Sequence, residues 1–157
     1  MQRLQPSKWL SCCGTSNSMA AQGRHGARQL LVQAFYQSQL SGHAGSELLE
    51  QFADHPDIGK SDRAYFEQLI EQIEESRATL DAHITEFGDI PAEQLDPVER
   101  AVLWIALAEF CFQPDVPANV ILNEAVELAK LYGAEGGYRY INGLLDKAST
   151  NLRPADV

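Results

Sequence analysis

Asp96-Pro97-Val98-Glu99 and the apolar run behind it leave this chain few ways to fold. Asp96 can cap a helix, and Pro97 suits the first helical position, where a missing N–H costs nothing. Glu99 can reach back to complete a capping box. The helix opened there, Val98 to Phe112, is apolar almost all round. Such a helix has no face to give to water, so other helices must surround it. The longest apolar stretch, Ala101–Ala108, contains Trp104 and ends at Glu109. That is far short of the roughly 20 residues of a membrane span.

The remaining periodicity is helical. Leu30, Leu31, Ala34, Phe35 and Ser38 predict a first helix from about Gly26 to Leu40, ended by Gly42 and Gly45. Ser46 can cap a short helix holding Leu48, Leu49 and Phe52 and stopping before Pro56. Ser61 or Asp62 begins a long helix with the stripe Tyr65, Phe66, Leu69, Ile70, Ile73, Leu80 and Ile84, closed by Gly88. Glu67, Glu71, Glu74 and Glu75 give it a solvated face. Pro114 and Pro117 precede a fifth helix carrying Val120, Ile121, Ala125, Leu128, Ala129 and Tyr132, with Gly133 as a left-handed cap. A last helix runs from about Gly137 to Leu152, with Tyr140, Ile141, Leu144, Leu145 and Ala148 inward. No stretch alternates as a strand does. The expectation is an all-α protein of six or seven helices in two halves, divided near Gly88–Leu95.

Residues 1–22 show no periodicity and no acids. They lack the apolar centre of about 7–15 residues that a signal peptide needs. They read as a disordered tail, or as a misassigned start with Met19 as the alternative, ahead of one all-α domain over 23–157. Three cysteines, two of them adjacent at Cys12 and Cys13, do not make a disulfide framework. Cys111, inside an apolar run, reads as a buried free thiol, and a reducing, cytoplasmic setting with no membrane partner fits.

Candidate chemistry is sparse. The four histidines have no i, i+4 pair and there is no CxxC, so no metal site is expected. Gly133, Gly136 and Gly137 follow a helix, which excludes a nucleotide-binding loop. Glu124 and Glu127 share a helix face, where solvated or ion-paired carboxylates are the ordinary case. No nucleophile has a base at a recognisable spacing. No cofactor and no catalysis are expected.

The net charge of −10 argues against a non-specific polyanion binder, yet does not exclude a basic patch. Two features suggest one. Arg24 and Arg28 sit four apart at the expected start of the first helix, where the dipole and their mutual repulsion disfavour them by a few tenths to about 1 kcal/mol. A phosphate-rich ligand would account for both; two solvated arginines would also stand there. Tyr138-Arg139-Tyr140 opens the last helix, and a cation between aromatics suits single-stranded RNA through phosphate contact and stacking. Equally, Tyr140 could be core and Tyr138 half exposed.

Taken in order, these stretches resemble the NusB family of bacterial transcription antitermination factors. The likeness runs through Val98-Glu99-Arg100-Ala101-Val102-Leu103, Ile105-Ala106-Leu107-Ala108-Glu109 and Val116-Pro117. It continues in Asn123-Glu124-Ala125-Val126-Glu127-Leu128-Ala129-Lys130, Tyr132-Gly133-Ala134-Glu135 and Tyr140-Ile141-Asn142-Gly143-Leu144-Leu145-Asp146-Lys147. Arg24, Ala27-Arg28, Val32-Gln33-Ala34 and Tyr36 extend it upstream, so that it spans about Arg24 to Pro154.

The resemblance implies an all-α fold of two packed helical bundles, in a non-enzymatic factor that binds boxA RNA of ribosomal RNA leaders. Its partners would be NusE, a small-subunit ribosomal protein, and the other Nus factors on RNA polymerase. It implies RNA contacts at Arg24, Arg28, Arg139 and Tyr140, with Lys130 on the same side, and a NusE-facing surface at Glu99 and Tyr36. Some members of the family self-associate, which leaves a homodimer open.

There are departures. His25 and Gly26 interrupt the arginine run, Trp104 stands where arginine is common, and Gly136-Gly137 replaces polar residues at the last helix. About four phosphate contacts would give a single-strand salt slope near −3, weak enough that useful binding is expected only with NusE. The acidic balance supports a second reading, a protein–protein adaptor with little RNA binding of its own. A NusB-like domain also precedes the methyltransferase domain of some ribosomal RNA cytosine methyltransferases, but Val157 is expected to leave no room for that α/β domain.

Overall fold

Capping and burial set the elements in this computed structural model, which describes residues 19–156. Among them are six α-helices and no strand: α1 (Met19–Ser41), α2 (Gly45–Phe52), α3 (Arg63–Phe87), α4 (Pro97–Phe112), α5 (Ala118–Tyr132) and α6 (Gly137–Leu152). Short 3-10 turns at Ile58–Lys60, Ala92–Gln94 and Pro154–Asp156 join or follow them. None of the helices is long and apolar enough to cross a membrane. Cys12, Cys13 and the expected tail over residues 1–18 lie outside the described residues.

The chain divides into two compact units, through Glu71 and from Gln72. The division falls inside α3 and not in the loop near Gly88–Leu95. A 25-residue helix is about 37 Å long, more than one small bundle needs, and α3 contributes its first 9 residues to one unit and its remaining 16 to the other. Loop chemistry marks where a helix stops, and cannot show that one helix serves two cores.

In the first unit, Leu30, Leu31, Ala34 and Phe35 of α1, Leu48 and Phe52 of α2, and Tyr65, Phe66, Leu69 and Ile70 of α3 are buried. Asp62 accepts from the Tyr65 backbone N–H at 3.0 Å, as the cap reading expected. Ser46 does not cap α2; Ala44 holds that position without a side-chain bond. The first helix begins at Met19, seven residues ahead of the expected Gly26 and inside the segment read as tail. Ala20, Ala21 and Gln22 are good helix formers, but with no apolar stripe they give no periodic signal.

In the second unit α4 is the central element. Val98 and every residue from Ala101 to Phe110 are buried, with α5 and α6 packed against α4 and Trp104 set against Arg77 and Asp81 of α3. Asp96 accepts from the Val98 N–H at 2.9 Å with Pro97 in the first turn, as the capping signal implies. Cys111, expected to be buried, is exposed beside exposed Phe112, because these two lie on the outer side of a last turn whose Glu109 and Phe110 stay buried. Val120 is likewise 38 % exposed. Gly133 is not left-handed: it is extended at φ −84°, ψ 177°, and its N–H closes α5 on the Ala129 carbonyl at 2.9 Å. The left-handed glycine is Gly136, φ 79°, immediately before α6.

Candidate nucleic-acid interface

In each unit basic side chains gather on a tyrosine ring. The first group rests on close approach between α1 and the start of α3. The Asp62 N–H donates to the Gly23 carbonyl at 2.9 Å, and a β-carbon at Gly26 would lie 2.8 Å from Ser61 Oγ. Gly26, which interrupts the arginine run, is therefore the residue that lets the two helices meet. This contact sets Arg24 over the Tyr65 ring, Cζ 4.8 Å from its centroid, and Arg28 over the same ring at 5.6 Å. Arg24 Nε also lies 4.0 Å from Asp62 Oδ2.

This environment changes the reading of both arginines. Dipole effects fade beyond the first helical turn. With α1 starting at Met19, Arg24 and Arg28 are well past it. Their mutual repulsion is offset by a shared aromatic ring and, for Arg24, by a carboxylate. Arg28 is 3 % exposed, while the Arg24 side chain is 35 % exposed. Arg24 can reach a ligand from this arrangement; Arg28 underpins the ring on which Arg24 rests.

In the second group Lys130 of α5 and Arg139 of α6 converge on Tyr138. Lys130 Nζ lies 4.9 Å from the ring centroid and Arg139 Cζ 5.7 Å. Arg139 Nε donates to the Tyr138 hydroxyl at 3.3 Å. That bond and the positive charges of Arg139 and Lys130 hold the phenol below the ordinary tyrosine range. Both cations are exposed, and among the described residues no carboxylate pairs with either.

Tyr140 is placed differently. Its hydroxyl accepts from the Ile90 N–H at 3.1 Å. A β-carbon at Gly88 would overlap that hydroxyl and lie 2.8 Å from Leu144 Cδ1. Tyr140 thus pins the loop after α3, and Gly88 is the glycine that this close approach requires. Both tyrosines are half-buried, one bonded to a distant backbone N–H and the other set against two cations.

Tyr36 and Glu99 are both half-buried. Glu99 does not close the capping box. Its carboxylate lies against Gly137, where a β-carbon would overlap Oε1, so the glycine at the start of α6 makes room for it. Burial, and then Asp96, push the Glu99 carboxyl above its ordinary value of 4.5. A raised acid pKa means the folded chain holds its proton to higher pH than the unfolded chain, so stability falls as pH rises through that window. Glu99→Gln is expected to raise Tm at pH 7, with the gain shrinking toward zero as the pH falls below 4.5 in a series of thermal melts.

Trp104, the other departure, is 1 % exposed. Its indole N–H donates to Asp81 Oδ1 at 2.8 Å, and the guanidinium groups of Arg77 and Arg100 stand 4.9 and 5.0 Å from its ring. An indole supplies Asp81 with a donor, as an arginine would. Sequence reading missed Asp62, Tyr65 and Asp81 as positioning residues. Capping and apolar spacing account for the first two locally, and nothing near Asp81 in sequence announces its partners 19 and 23 residues on. No group of three His, Cys, Asp or Glu that could hold a metal occurs among the described residues.

Known proteins share this arrangement of helices. A NusB of T. maritima superposes with a TM-score of 0.73 at 27 % identity, covering 81 % of this chain and 90 % of that one. A chain from the crystal structure of antitermination factors NusB and NusE in complex with dsRNA has the same fold, TM-score 0.70 at 24 % identity over 83 % and 96 % of the two chains. In sequence, transcription antitermination protein NusB of Shewanella pealeana is 44 % identical over 124 residues, 79 % of this chain and 92 % of the relative. That of Alcanivorax borkumensis is 40 % identical over 142 residues, 90 % and 95 %. The NusB family model matches residues 25–150, and the chain belongs to the NusB family of transcription antitermination proteins.

Proposed function

We propose that this chain binds boxA RNA of nascent ribosomal RNA leaders together with NusE, and joins the other Nus factors on RNA polymerase to suppress termination. The observation that carries this reading is the exposed pair Lys130 and Arg139, held on Tyr138 with no carboxylate partner among the described residues, on a chain of net charge −10. An acidic protein that keeps two cations unneutralised beside an aromatic ring is suited to a ligand with both phosphates and bases. The related NusB–NusE–dsRNA complex supports the choice of partners.

In this mechanism Arg24, Lys130 and Arg139 hold phosphates, and Arg28 keeps Tyr65 and Arg24 in place. NusE adds surface and charge, meeting the chain near Glu99 and Tyr36. No catalytic step is involved. Fluorescence anisotropy of labelled boxA RNA against a scrambled control, with and without NusE across a salt series, tests the reading. The expected result is a preference for boxA that strengthens with NusE. Arg24→Ala is expected to weaken boxA binding about three- to tenfold and flatten the salt slope by about 0.7. Equal and negligible binding of both RNAs with NusE present would overturn the reading. It would leave the adaptor role, which the burial of Arg28 favours.

A further inference from the structure

An RNA base that is to be held without a paired strand needs an accessible aromatic face beside cations that take its flanking phosphates. Two tyrosines open α6, and their surroundings separate them. Tyr140 has its hydroxyl committed to the Ile90 N–H, and its ring end lies against Gly88 with no space for one further carbon. Releasing it would free the loop that follows α3. Tyr138 is half-buried, and its ring and hydroxyl meet Lys130 of α5 and Arg139 beside it.

The two cations do different work on the Tyr138 ring. Arg139 bonds the hydroxyl, at the edge of the ring, and fixes the direction in which the phenol points. Lys130 stands over the ring with a compact ammonium on an exposed, flexible stem. A cation on an exposed ring gains only about 0.5–1 kcal/mol. A phosphate competes readily for such an ammonium, and as the lysine moves to it the ring face is uncovered.

We propose that Tyr138 is the stacking platform for one unpaired base of the RNA, with Lys130 covering its face in the free protein and moving to the adjacent phosphate when RNA binds. Arg139 orients the ring through its hydroxyl. Tyr140, the aromatic expected at this place, is the anchor that keeps the start of α6 rigid. The inference rests on the RNA-binding reading above and names the residue that performs the stacking.

The test uses the full chain with NusE and boxA RNA carrying 2-aminopurine at successive positions, read by anisotropy and by quenching of the base. Circular dichroism confirms the fold of each variant. Wild-type protein is expected to quench one position strongly. Tyr138→Leu is expected to remove that quenching and weaken binding about tenfold, with the salt slope unchanged, because stacking releases no counterions. Tyr138→Phe keeps the ring and should bind within about threefold of wild type with quenching retained. Lys130→Gln should flatten the slope by about 0.7.

If wild type binds boxA with the expected slope and Tyr138→Leu binds and quenches equally, the platform is overturned while the RNA reading stands. If wild type shows no boxA preference at all, both are overturned together.

Discussion

Arg153→Ala is expected to destabilise the fold by about 3–5 kcal/mol, the usual cost of breaking a buried charged network. Arg153 is 9 % exposed. Its guanidinium donates to the carbonyls of Phe110 at 2.7 Å, Glu109 at 3.1 Å, Gln113 at 2.6 Å and Val116 at 3.1 Å, and to Asp156 Oδ2 at 2.7 Å. These carbonyls belong to the last turn of α4 and the bend after it, where a helix leaves acceptors without partners and carries its negative end. One side chain from just beyond α6 therefore closes α4 and fastens the C-terminal segment to it. Removing it leaves the Phe110 and Val116 carbonyls without that donor, at about 1–3 kcal/mol each before relaxation, while those of Glu109 and Gln113 keep the backbone N–H groups of Gln113 and Val116. Arg153→Lys keeps the charge but not the fork of donors, and should fall between. Urea denaturation followed by far-UV circular dichroism checks the ranking. Wild-type stability in the alanine variant would show that the guanidinium contributes no more than an exposed charge.

Trp104→Ala is expected to cost about 3–5 kcal/mol, the range for truncating a buried large aromatic. The loss has three parts: the cavity, the two guanidinium groups that lose their ring, and the Asp81 oxygen that loses a donor. Asp81 keeps Arg100, which donates to Oδ1 at 3.2 Å and Oδ2 at 2.6 Å, so it is not left as an unpaired charge. Trp104→Phe fills most of the volume and removes the indole donor, and should cost about 1–2 kcal/mol. Denaturant midpoints for the two variants separate packing from the hydrogen bond. If Phe is as damaging as Ala, the bond to Asp81 and not the volume is what the site needs.

The charge arrangement has a practical consequence. The two basic groups sit on a chain with 22 acidic and 12 basic residues, so unselective attraction of RNA by net charge is unavailable. In the RNA-binding reading proposed above, affinity would come from cations already gathered and pre-oriented on rings, Arg24 on Tyr65 and Lys130 with Arg139 on Tyr138. An acidic body with small basic clusters repels nucleic acid elsewhere and admits it at those places.

The sequence by itself determined which segments are helical and which faces they bury. The α3 stripe from Tyr65 to Ile84, the inward residues of α6 and the all-round burial of α4 were each legible, because helical period and capping are local properties. The start of α1 was not, because Ala20, Ala21 and Gln22 carry no stripe to reveal it. Candidate site residues could be named from the chain, but their roles could not. That Arg28 is buried while Arg24 is presented follows from Tyr65, 37 positions beyond Arg28, and from the glycines that bring α3 against α1. That Tyr140 anchors the loop after α3 follows from Ile90 and Gly88, some 50 positions upstream. Adjacent residues of the same type are equivalent in a sequence and become different only when distant segments pack against one and leave the other open. Tertiary structure decided those assignments because burial and hydrogen-bond partners are properties of the folded neighbourhood, not of the residue.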